Sequence, residues 1–358
     1  MTVESSRQDI ASIQILRGIA ATMVVFVHLD VQLARHGFGA LGSDWAASGV
    51  DIFFVISGFI MWVTTARRAS ITGTQFMLNR LIRIVPLYWL ISLFVLVMAL
   101  VAPHLLHTTV FDPGHTLASF LFFPARHPVT GAFWPLLVPG WTLNYEMLFY
   151  VLFAVSIAMS RGLALRRLML IAGTIISVLI LSNLLKSRVD VLNFYASSIM
   201  LEFVAGTFLG VLYLSGRMRP SALWFVAVVA GFLALWKGPG GMPYSGVAAT
   251  AIVAGALFSP PVRIPFLQRV GDASYSLYLT HVITLAAVAA MWSRQSLLDG
   301  PVVFGVLCVA AALLVATISY RLIEQPVTAA LKRVERRFLS APPAGGPTSP
   351  ARPGEAAE

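Results

Sequence analysis

The sequence predicts an all-α protein that crosses a membrane about ten times. Of its 358 residues, 58% are hydrophobic and only 11% are charged, and the mean hydropathy is +0.82. A soluble domain carries about 25% charged residues. Several apolar runs approach the ~20 residues that a helix needs to span a bilayer. The composition therefore indicates a polytopic integral membrane protein made of helices.

Ten apolar segments are predicted to be membrane-spanning helices. In chain order they cover 13–30, 47–66, 82–102, 141–160, 167–184, 195–215, 221–236, 245–259, 272–292 and 300–322. Residues 1–12 form a cytoplasmic N-terminus in this scheme, and 13–325 form one membrane domain. The segment 326–340 is predicted to be a basic amphipathic end that lies on anionic headgroups. Residues 341–358, which are mostly Pro, Gly, Ala and Ser, are predicted to be a disordered tail.

The loop 103–140 interrupts this series. Its apolar segment 114–123 is too short to cross a bilayer and lies between Pro113 and Pro124, so we predict an interfacial helix there. No two histidines of the loop have the i, i+4 spacing of a helical metal pair, so a solvated loop is favoured and no metal site is predicted. The loop's histidines are His104, His107, His115 and His127.

The distribution of basic residues orients the chain. If the N-terminus is cytoplasmic, six of the 25 lysines and arginines fall outside, which leaves 19 on the cytoplasmic side. The six are Arg35, Arg126, Lys186, Arg188, Lys237 and Arg294. Cytoplasmic loops carry an excess of Lys and Arg, so this bias predicts that both termini are cytoplasmic. It also accounts for the net charge of +10 without a nucleic-acid partner.

The first predicted helix carries two ionisable side chains on one face. Arg17 and His28 are eleven residues apart, which at ~100° per residue is about three whole turns plus ~20°. The same spacing separates them by about 16 Å along the helix axis. Neither group can face lipid without a large energetic penalty. Their shared face is therefore predicted to look into a polar interior.

Hydropathy and orientation together assign a depth to the ionisable residues of the predicted helices. One set is expected together at the cytoplasmic mouth: Arg17, Arg80 and Arg83. A second set is expected together in the outer third of the membrane: His28, Asp51 and Glu146. Because guanidinium groups bind phosphate in a bidentate manner, the first set would suit a phosphorylated cytosolic ligand. A histidine beside carboxylates can remove a proton from a hydroxyl group, or carry an acyl group as a nucleophile.

Structural explanations compete with these functional ones. Arg80 and Arg83 fit equally well as ordinary anchors at the cytoplasmic interface. Asp51 could cap a helix, and Glu146 could be the partner of a buried cation. For His28 we favour a functional role, because ionisable groups at such depth are usually functional.

Three further polar positions are weaker candidates. Ser57 and Gly58 first suggest a small-residue site that lets two helices approach closely. Glu202 and His281 lie within predicted helices, and their position alone does not decide between a structural and a functional role.

Five stretches of the chain resemble the acyltransferase-3 family of integral-membrane sugar O-acyltransferases, and within it the ExoZ-like branch that modifies exopolysaccharides. The stretches are LRGIAATMVVFVH at 16–28, GVDIFFVISGFIM at 49–61, FMLNRLIRIVPLYWL at 76–90, WTLNYEMLFY at 141–150 and ASYSLYLTH at 273–281. The resemblance as a whole covers residues 13 to about 325. A single motif is weak, but the ordered set is specific.

The family's motifs fall on particular residues of this sequence. Its Arg/Lys-x10-His motif falls on Arg17 and His28, and its Ser-Gly-Phe on Ser57 and the two residues that follow. The other motif positions are Arg80, Arg83, Pro86, Tyr88, Trp141, Glu146, Phe149, Tyr150, Tyr278 and His281.

The resemblance implies a protein of the bacterial inner membrane. It also implies an acyl donor, usually acetyl-CoA, that enters from the cytoplasmic side. It implies an acceptor saccharide, often lipid-linked or surface-bound, and leaves open a partnership with polysaccharide biosynthesis and export proteins. Donor binding is expected at Arg17, Arg80, Arg83 and Tyr88. Catalysis is expected at His28, Glu146 and Asp51. Further candidates are Ser57, Trp141, Tyr150, Tyr278 and His281.

Two other classes of function compete with this enzyme. A proton-coupled transporter could use His28 and Glu146 as a proton relay. Transporters usually show two matching halves with broken helices, and no such duplication is visible here. A structural subunit of polysaccharide export would leave the buried charges unexplained. Turnover of an acyl-CoA separates the enzyme from both alternatives.

Overall fold

The computed structural model describes residues 3–67, 71–103, 109–160, 163–185, 189–238, 243–292 and 300–340. This part of the chain folds into fourteen α-helices and contains no β-strand, so the predicted all-α class is confirmed for it. The loop histidines His104 and His107 lie outside the described residues, as does the predicted disordered tail.

The helices of the described residues range from 6 to 33 residues in length. They are α1 (Val3–Arg35), α2 (Gly49–Ala66), α3 (Gly73–Val101), α4 (Pro113–Phe120), α5 (Trp141–Ser160), α6 (Ala164–Leu185), α7 (Asp190–Tyr195), α8 (Met200–Ser215), α9 (Trp224–Lys237), α10 (Tyr244–Phe258), α11 (Pro265–Asp272), α12 (Ser274–Trp292), α13 (Pro301–Ser319) and α14 (Gln325–Ser340). A 3-10 turn at Asp44–Ser48 leads into α2, and a π-helical segment at Tyr320–Glu324 joins α13 to α14.

Seven helical segments in the described chain are long and apolar enough to cross a membrane. They contain α1, α2, α3, α5, α6, α12 and α13. Three shorter apolar helices, α8, α9 and α10, have 16, 14 and 15 residues and fall short of the ~20 that a full crossing needs. Each of the ten predicted segments coincides with one of these helices. Helix α1 begins at Val3, well before the predicted start at residue 13.

A helix is present as α4 in the segment 114–123, where one was predicted; its interfacial position stays a prediction. The Asp112 side chain caps it by accepting a hydrogen bond from the backbone N–H of His115 at 2.7 Å, and Pro113 occupies its first position. The indole of Trp89 on α3 donates to the carbonyl of Phe120 at 2.8 Å, so α4 is fastened against α3.

Helices α2 and α8 make the most extensive contact between any two described helices. Two glycines allow it, because their missing side chains let the backbones touch. A Cβ on Gly58 would lie 2.1 Å from the carbonyl oxygen of Phe203, and one on Gly206 would lie 1.9 Å from that of Val55. The small-residue packing expected at Gly58 is confirmed.

Close backbone contact also joins α1 to α11. A Cβ on Gly271 would meet the carbonyl oxygen of Gln14 at 1.9 Å, and one on Gly18 would meet that of Leu267 at 2.5 Å. Helix α12 follows directly after α11 and packs along α1. This contact places the polar residues at the start of α12 beside the arginine of α1.

Two helix pairs run parallel. Along α2 and α8, Gly58 faces Phe203 and Thr207, and Trp62 faces Gly210, so the contacts advance together along both helices. Along α1 and α12 the same advance is seen in three hydrogen-bonded pairs, which are Arg17 with Ser274, His28 with His281, and His36 with Ala289.

The loop between α1 and α2 is held in place by Asp30. Its carboxylate accepts hydrogen bonds from the backbone N–H of Ser43 at 3.0 Å and from the Ser43 hydroxyl at 2.9 Å, and it is also bonded to the N–H of Leu41. The 3-10 turn that follows is thereby fixed at the end of α1, where it forms part of a cavity wall.

Candidate active site

Two cavities lie among these helices. The first, which we call the arginine cavity, has a volume of about 180 Å³ and is lined by Arg17, Arg80 and Arg83. The second, which we call the histidine cavity, has a volume of about 840 Å³ and is lined by His28 and Asp51.

The two cavities meet at Val50 and Tyr278, because both side chains line both spaces. The hydroxyl of Tyr278 is fixed at this junction, donating to the carbonyl of Pro139 at 2.8 Å and lying 2.8 Å from the hydroxyl of Thr142. Tyr278, predicted only from a motif, therefore stands between the arginines and the histidine.

The predicted grouping of the three arginines is confirmed, and Arg17 is the most firmly held of them. Its guanidinium donates to Gln14 at 3.0 Å and to the hydroxyl of Ser274 at 2.8 Å. Gln14 in turn donates to Asp272 at 2.7 Å. Residues from α1, α11 and α12 thus orient a cation that the helix spacing alone places inside the molecule.

Arg80 and Arg83 approach the same cavity from α3. The Arg80 guanidinium lies over the rings of Phe76 and Tyr150, with distances of 5.3 Å and 5.9 Å to the ring centroids, and donates to Thr64 at 3.3 Å. Arg83 makes no hydrogen bond or salt bridge with any residue in the described part of the chain, although it lines the cavity. Its charge is therefore available to an anion that enters the cavity, which favours the functional explanation over the anchor.

Glu146 lies in the arginine cavity, which corrects the prediction that it sits level with His28. Its carboxylate accepts a hydrogen bond from the Tyr150 hydroxyl at 2.5 Å and one from Ser57 at 3.3 Å. Five residues separate Glu146 from Trp141, which lines the histidine cavity. This is a rise of about 7.5 Å, enough to carry the carboxylate from one cavity to the other.

A second carboxylate near the arginines, Glu324, was not singled out from the sequence. It is buried in the π-helical segment, accepts a hydrogen bond from Ser276 at 2.7 Å, and interacts electrostatically with Arg17 and Arg83. Its only sequence signal is an acidic residue directly after a predicted span. Gln14 and Ser274, which accept hydrogen bonds from Arg17, are uncharged, so their sequence positions did not indicate a role in the site.

In the histidine cavity, His28 contacts a second histidine. Nδ1 of His28 lies 3.0 Å from the carbonyl oxygen of Val24 and 3.2 Å from Nε2 of His281. His281 is 0% exposed, and its Nδ1 lies 3.1 Å from the carbonyl oxygen of Leu277. His281, a weak candidate from the sequence, is thus in direct contact with His28, a strong one.

These contacts define the protonation pattern of the pair when both rings are neutral. A carbonyl can only accept, so Nδ1 of His281 carries the proton and its Nε2 is an acceptor. Nδ1 of His28 must then be the donor to Val24 and His281. Nε2 of His28 is left without a proton and makes no hydrogen bond with any described residue, which is the arrangement that a general base requires.

Asp51 is 7% exposed at the edge of the histidine cavity and accepts a hydrogen bond from the Ser245 hydroxyl at 2.8 Å. It lies in the first turn of α2, but no side-chain hydrogen bond caps that helix. The helix-cap explanation for Asp51 is therefore wrong. The bond to Ser245 joins α2 to α10 instead.

Aromatic side chains form much of the remaining wall of the histidine cavity. They are Trp45, Trp141, Trp236, Tyr244 and Tyr278. Of these, only Trp141 and Tyr278 were predicted. Trp45, Trp236 and Tyr244 lie at helix ends, where aromatic residues are common in membrane proteins for unrelated reasons.

Tyr88 lines neither cavity, so we withdraw it from the donor site. It is 0% exposed, its hydroxyl donates to the carbonyl of Ser119 at 3.0 Å, and its ring packs on Phe122 at 4.7 Å between centroids. The structure gives Tyr88 the role of holding α4 against α3. The motif alone could not show this, because α4 is distant in sequence.

The described histidines of the long loop are buried, so the solvated interpretation is wrong for them. His115 and His127 pack edge to face with 5.2 Å between ring centroids, and His115 also bonds to the carbonyl of Trp134 at 2.7 Å. Burial and the neighbouring His115 lower the pKa of His127. The pair belongs to the packing of the loop and lines neither cavity.

The fold and the site define a class of protein. It is a helical protein of the membrane type whose interior holds an arginine-lined cavity next to a histidine-lined one. The family model described as an acyltransferase domain (Acyl_transf_3) matches residues 10–321, so the chain belongs to this acyltransferase family. No solved structure matches the chain.

Two curated relatives support this conclusion. The chain is 38% identical over 310 residues to the exopolysaccharide production protein ExoZ of Rhizobium meliloti (strain 1021). The aligned region covers 84% of this chain and 94% of that protein. It is 31% identical over 126 residues to the peptidoglycan O-acetyltransferase OatA of Listeria monocytogenes serovar 1/2a. This aligned region covers 34% of this chain and 18% of that protein. The chain is thus a multi-pass membrane O-acyltransferase, and the transporter and export-subunit alternatives are set aside.

Proposed function

We propose that the protein transfers an acetyl or other short acyl group from acyl-CoA to a hydroxyl of a cell-surface or lipid-linked saccharide, as a step in exopolysaccharide modification. The observation that carries this proposal is the pair of adjoining cavities. One presents three arginines to an anion, and the other presents an unprotonated histidine nitrogen.

The arginine cavity suits the phosphates of a CoA donor. Arg17, Arg80 and Arg83 supply several N–H groups in planar arrays, which match phosphate oxygens. The cavity has a small volume, so we place only part of the donor within it, with the nucleotide at its mouth. The thioester arm would extend from Arg17 toward His28, a rise of about 16 Å along α1, and would pass Tyr278.

The histidine cavity suits the saccharide. Its volume of about 840 Å³ is within the range of about 300–1,000 Å³ for ligand sites, and its aromatic walls can pack on the apolar faces of sugar rings. Asp51 offers an acceptor for sugar hydroxyl groups. The names of the relatives support an extracellular saccharide as acceptor, since one acts in exopolysaccharide production and the other on peptidoglycan.

The chemistry then follows from the protonation pattern of His28. Its Nε2 accepts the proton of the acceptor hydroxyl while the hydroxyl oxygen attacks the thioester carbonyl. The carbon–sulfur bond breaks, the new ester leaves with the saccharide, and the CoA sulfur takes the proton from His28. In the alternative route, Nε2 itself attacks the thioester carbonyl, and the carbon–sulfur bond breaks to release CoA as a thiolate. The acceptor hydroxyl then takes the acyl group from Nε2, the nitrogen–carbon bond breaks, and the hydroxyl proton goes to the CoA sulfur.

We propose that the protein lies in the bacterial inner membrane with ten crossings and both termini in the cytoplasm. The parallel packing of α2 with α8 and of α1 with α12 supports this topology. Each pair requires an odd number of crossings between its members. That condition is met when α4 remains at the interface and fails when α4 crosses. We place polysaccharide biosynthesis and export proteins nearby as partners that deliver or remove the saccharide.

Transfer from labelled donor tests this proposal. Inside-out vesicles containing the protein are supplied with radiolabelled acetyl-CoA and the host's saccharide, and matched vesicles without the protein are the control. We expect label in carbohydrate only when the protein is present. If neither acetyl-CoA nor succinyl-CoA labels the saccharide while the protein is intact, the proposed donor class is wrong.

A further inference from the structure

Glu202 on α8 is a buried carboxyl group that the mechanism above does not use. It is 3% exposed, and neither of its carboxyl oxygens has a hydrogen-bond donor among the described residues. A buried carboxylate without a partner is strongly unfavourable. The chain also provides space for the Glu202 side chain. A Cβ on Gly246 would lie only 2.9 Å from Oε1 of Glu202, so the glycine leaves room for the carboxyl group.

The group that faces Glu202 is another carboxyl, that of Asp51 on α2, and the two interact. Asp51 has a donor of its own, the hydroxyl of Ser245 on α10. The other titratable side chains that line the histidine cavity with Asp51 are His28, Asp44, Tyr244 and Tyr278, and no lysine or arginine is among the described residues that line it. No cation is therefore placed to compensate two negative charges here.

A single proton resolves this arrangement. Two ionised carboxylates at close range repel each other and can only accept hydrogen bonds. With one proton, the protonated group becomes a donor to the other. The geometry places that proton on Glu202, because Glu202 is the more deeply buried and lacks a donor, whereas Ser245 already stabilises a charge on Asp51.

We propose that Glu202 is a positioning residue that carries a proton and donates it in a hydrogen bond to Asp51, which holds Asp51 as the one ionised carboxylate of the pair, on the wall of the histidine cavity. Its consequence for catalysis rests on the proposed function. When His28 takes the proton of the acceptor hydroxyl it becomes a cation, and one fixed negative charge in the same cavity stabilises it. The ionised Asp51 also accepts a hydrogen bond from the saccharide.

Infrared difference spectroscopy of the purified protein tests the proton directly and needs no substrate. Wild type should show the carbonyl band of a protonated carboxylic acid, and Glu202→Gln should lack that band. Glu335→Gln, a substitution of the same type on α14, is the control and should keep it. If Glu202→Gln retains the band unchanged, Glu202 is ionised and the proposal is overturned, whether or not acyl transfer is observed.

Kinetics test the positioning role. Glutamine can still donate to Asp51, so Glu202→Gln should keep at least half of the wild-type kcat/KM for the saccharide, whereas Glu202→Leu should lose tenfold or more with unchanged CoA affinity. Wild type should lose activity at alkaline pH as the pair gives up its proton, and Glu202→Gln should not. An equal loss of kcat/KM in Glu202→Gln and Glu202→Leu, or an unchanged kcat/KM in Glu202→Leu, contradicts the proposal. Thermal unfolding in detergent checks that each variant is folded.

If the infrared result is as expected but no acyl-CoA transfers its label, the carboxyl pair stands and the proposed function fails. If transfer is observed but the band is unaffected by Glu202→Gln, the proposed function stands and the pair fails. The two proposals are therefore decided separately.

Discussion

At the scale of single residues, the chemistry depends on which nitrogen of His28 carries the proton. The carbonyl of Val24 and the buried ring of His281 both hold the proton on Nδ1, which leaves Nε2 unprotonated, as the proposed role of a base requires. A free imidazole populates both tautomers, and only one is useful here. We therefore propose that His281 acts through His28 rather than on the substrate.

Replacement of His281 should separate this positioning role from a merely structural one. His281→Ala removes the acceptor for Nδ1–H, and we expect kcat to fall roughly 10- to 100-fold, less than the full contribution of a general base. Glutamine can supply an acceptor oxygen, so His281→Gln should recover part of the rate. Steady-state kinetics measure both, and equal rates in the two variants would contradict the tautomer argument.

Arg83 is the residue whose loss should act most clearly on donor binding, because no described residue forms a hydrogen bond or salt bridge with its guanidinium. A hydrogen bond to a charged group is worth about 1.5–3 kcal/mol, so Arg83→Ala should weaken CoA binding roughly 10- to 100-fold. Arg126→Ala is the control, because Arg126 forms a surface salt bridge with Asp190 at 2.7 Å and lies outside both cavities. Calorimetry with CoA measures the affinity, and an unchanged value for Arg83→Ala would return Arg83 to the anchor explanation.

At the scale of helices, the site depends on close backbone contact between α2 and α8. Ser57, which bonds to Glu146, is the residue before the contact glycine Gly58. A separation of the two helices would therefore move Ser57 away from Glu146 and alter the wall of the arginine cavity. We therefore expect the glycines at this contact to support the candidate site as well as stability.

Substitution at this contact tests the point. Gly206→Ala places a Cβ 1.9 Å from the carbonyl oxygen of Val55, so we expect a loss of at least ~1–3 kcal/mol in the free energy of unfolding. Gly173→Ala on α6 meets nothing within 4 Å and should be neutral or stabilising by up to about 1 kcal/mol. Thermal unfolding in detergent compares them, and a Gly206→Ala protein as stable as Gly173→Ala would refute the contact.

At the scale of the whole molecule, the sequence predicted the helices and the grouping of the three arginines, because both follow from hydropathy along the chain. Hydropathy could not predict the position of a side chain along the membrane normal to within one or two helical turns. For this reason it did not show that Glu146 lies with the arginines, although Trp141, five residues earlier on the same helix, lies with His28. The sequence also could not predict contacts between distant segments. His281 is 253 residues from its neighbour His28, and the hydrogen-bond partner of Tyr88 lies on α4. The headgroup position of α14 stays a prediction.

The proposed topology can be tested by cysteine labelling. In a Cys308→Ser background, Thr130→Cys and Ser215→Cys introduce thiols at exposed positions. An impermeant maleimide should label Thr130→Cys in intact cells and Ser215→Cys only in inside-out vesicles. Labelling of both positions from one side would mean that the number of crossings between them is even and that the proposed topology is wrong.

The central claim is that donor binding and chemistry belong to two adjoining cavities, with His28 as the reacting group of the second. The most direct test compares His28→Ala with His36→Ala, a histidine on the same helix outside both cavities, by measuring acetyl transfer at saturating acetyl-CoA together with CoA affinity. We expect His28→Ala to bind CoA as wild type does but to lose about 10²–10⁴-fold in transfer rate, while His36→Ala retains both. A His28→Ala protein that transfers acetyl at the wild-type rate would contradict the account.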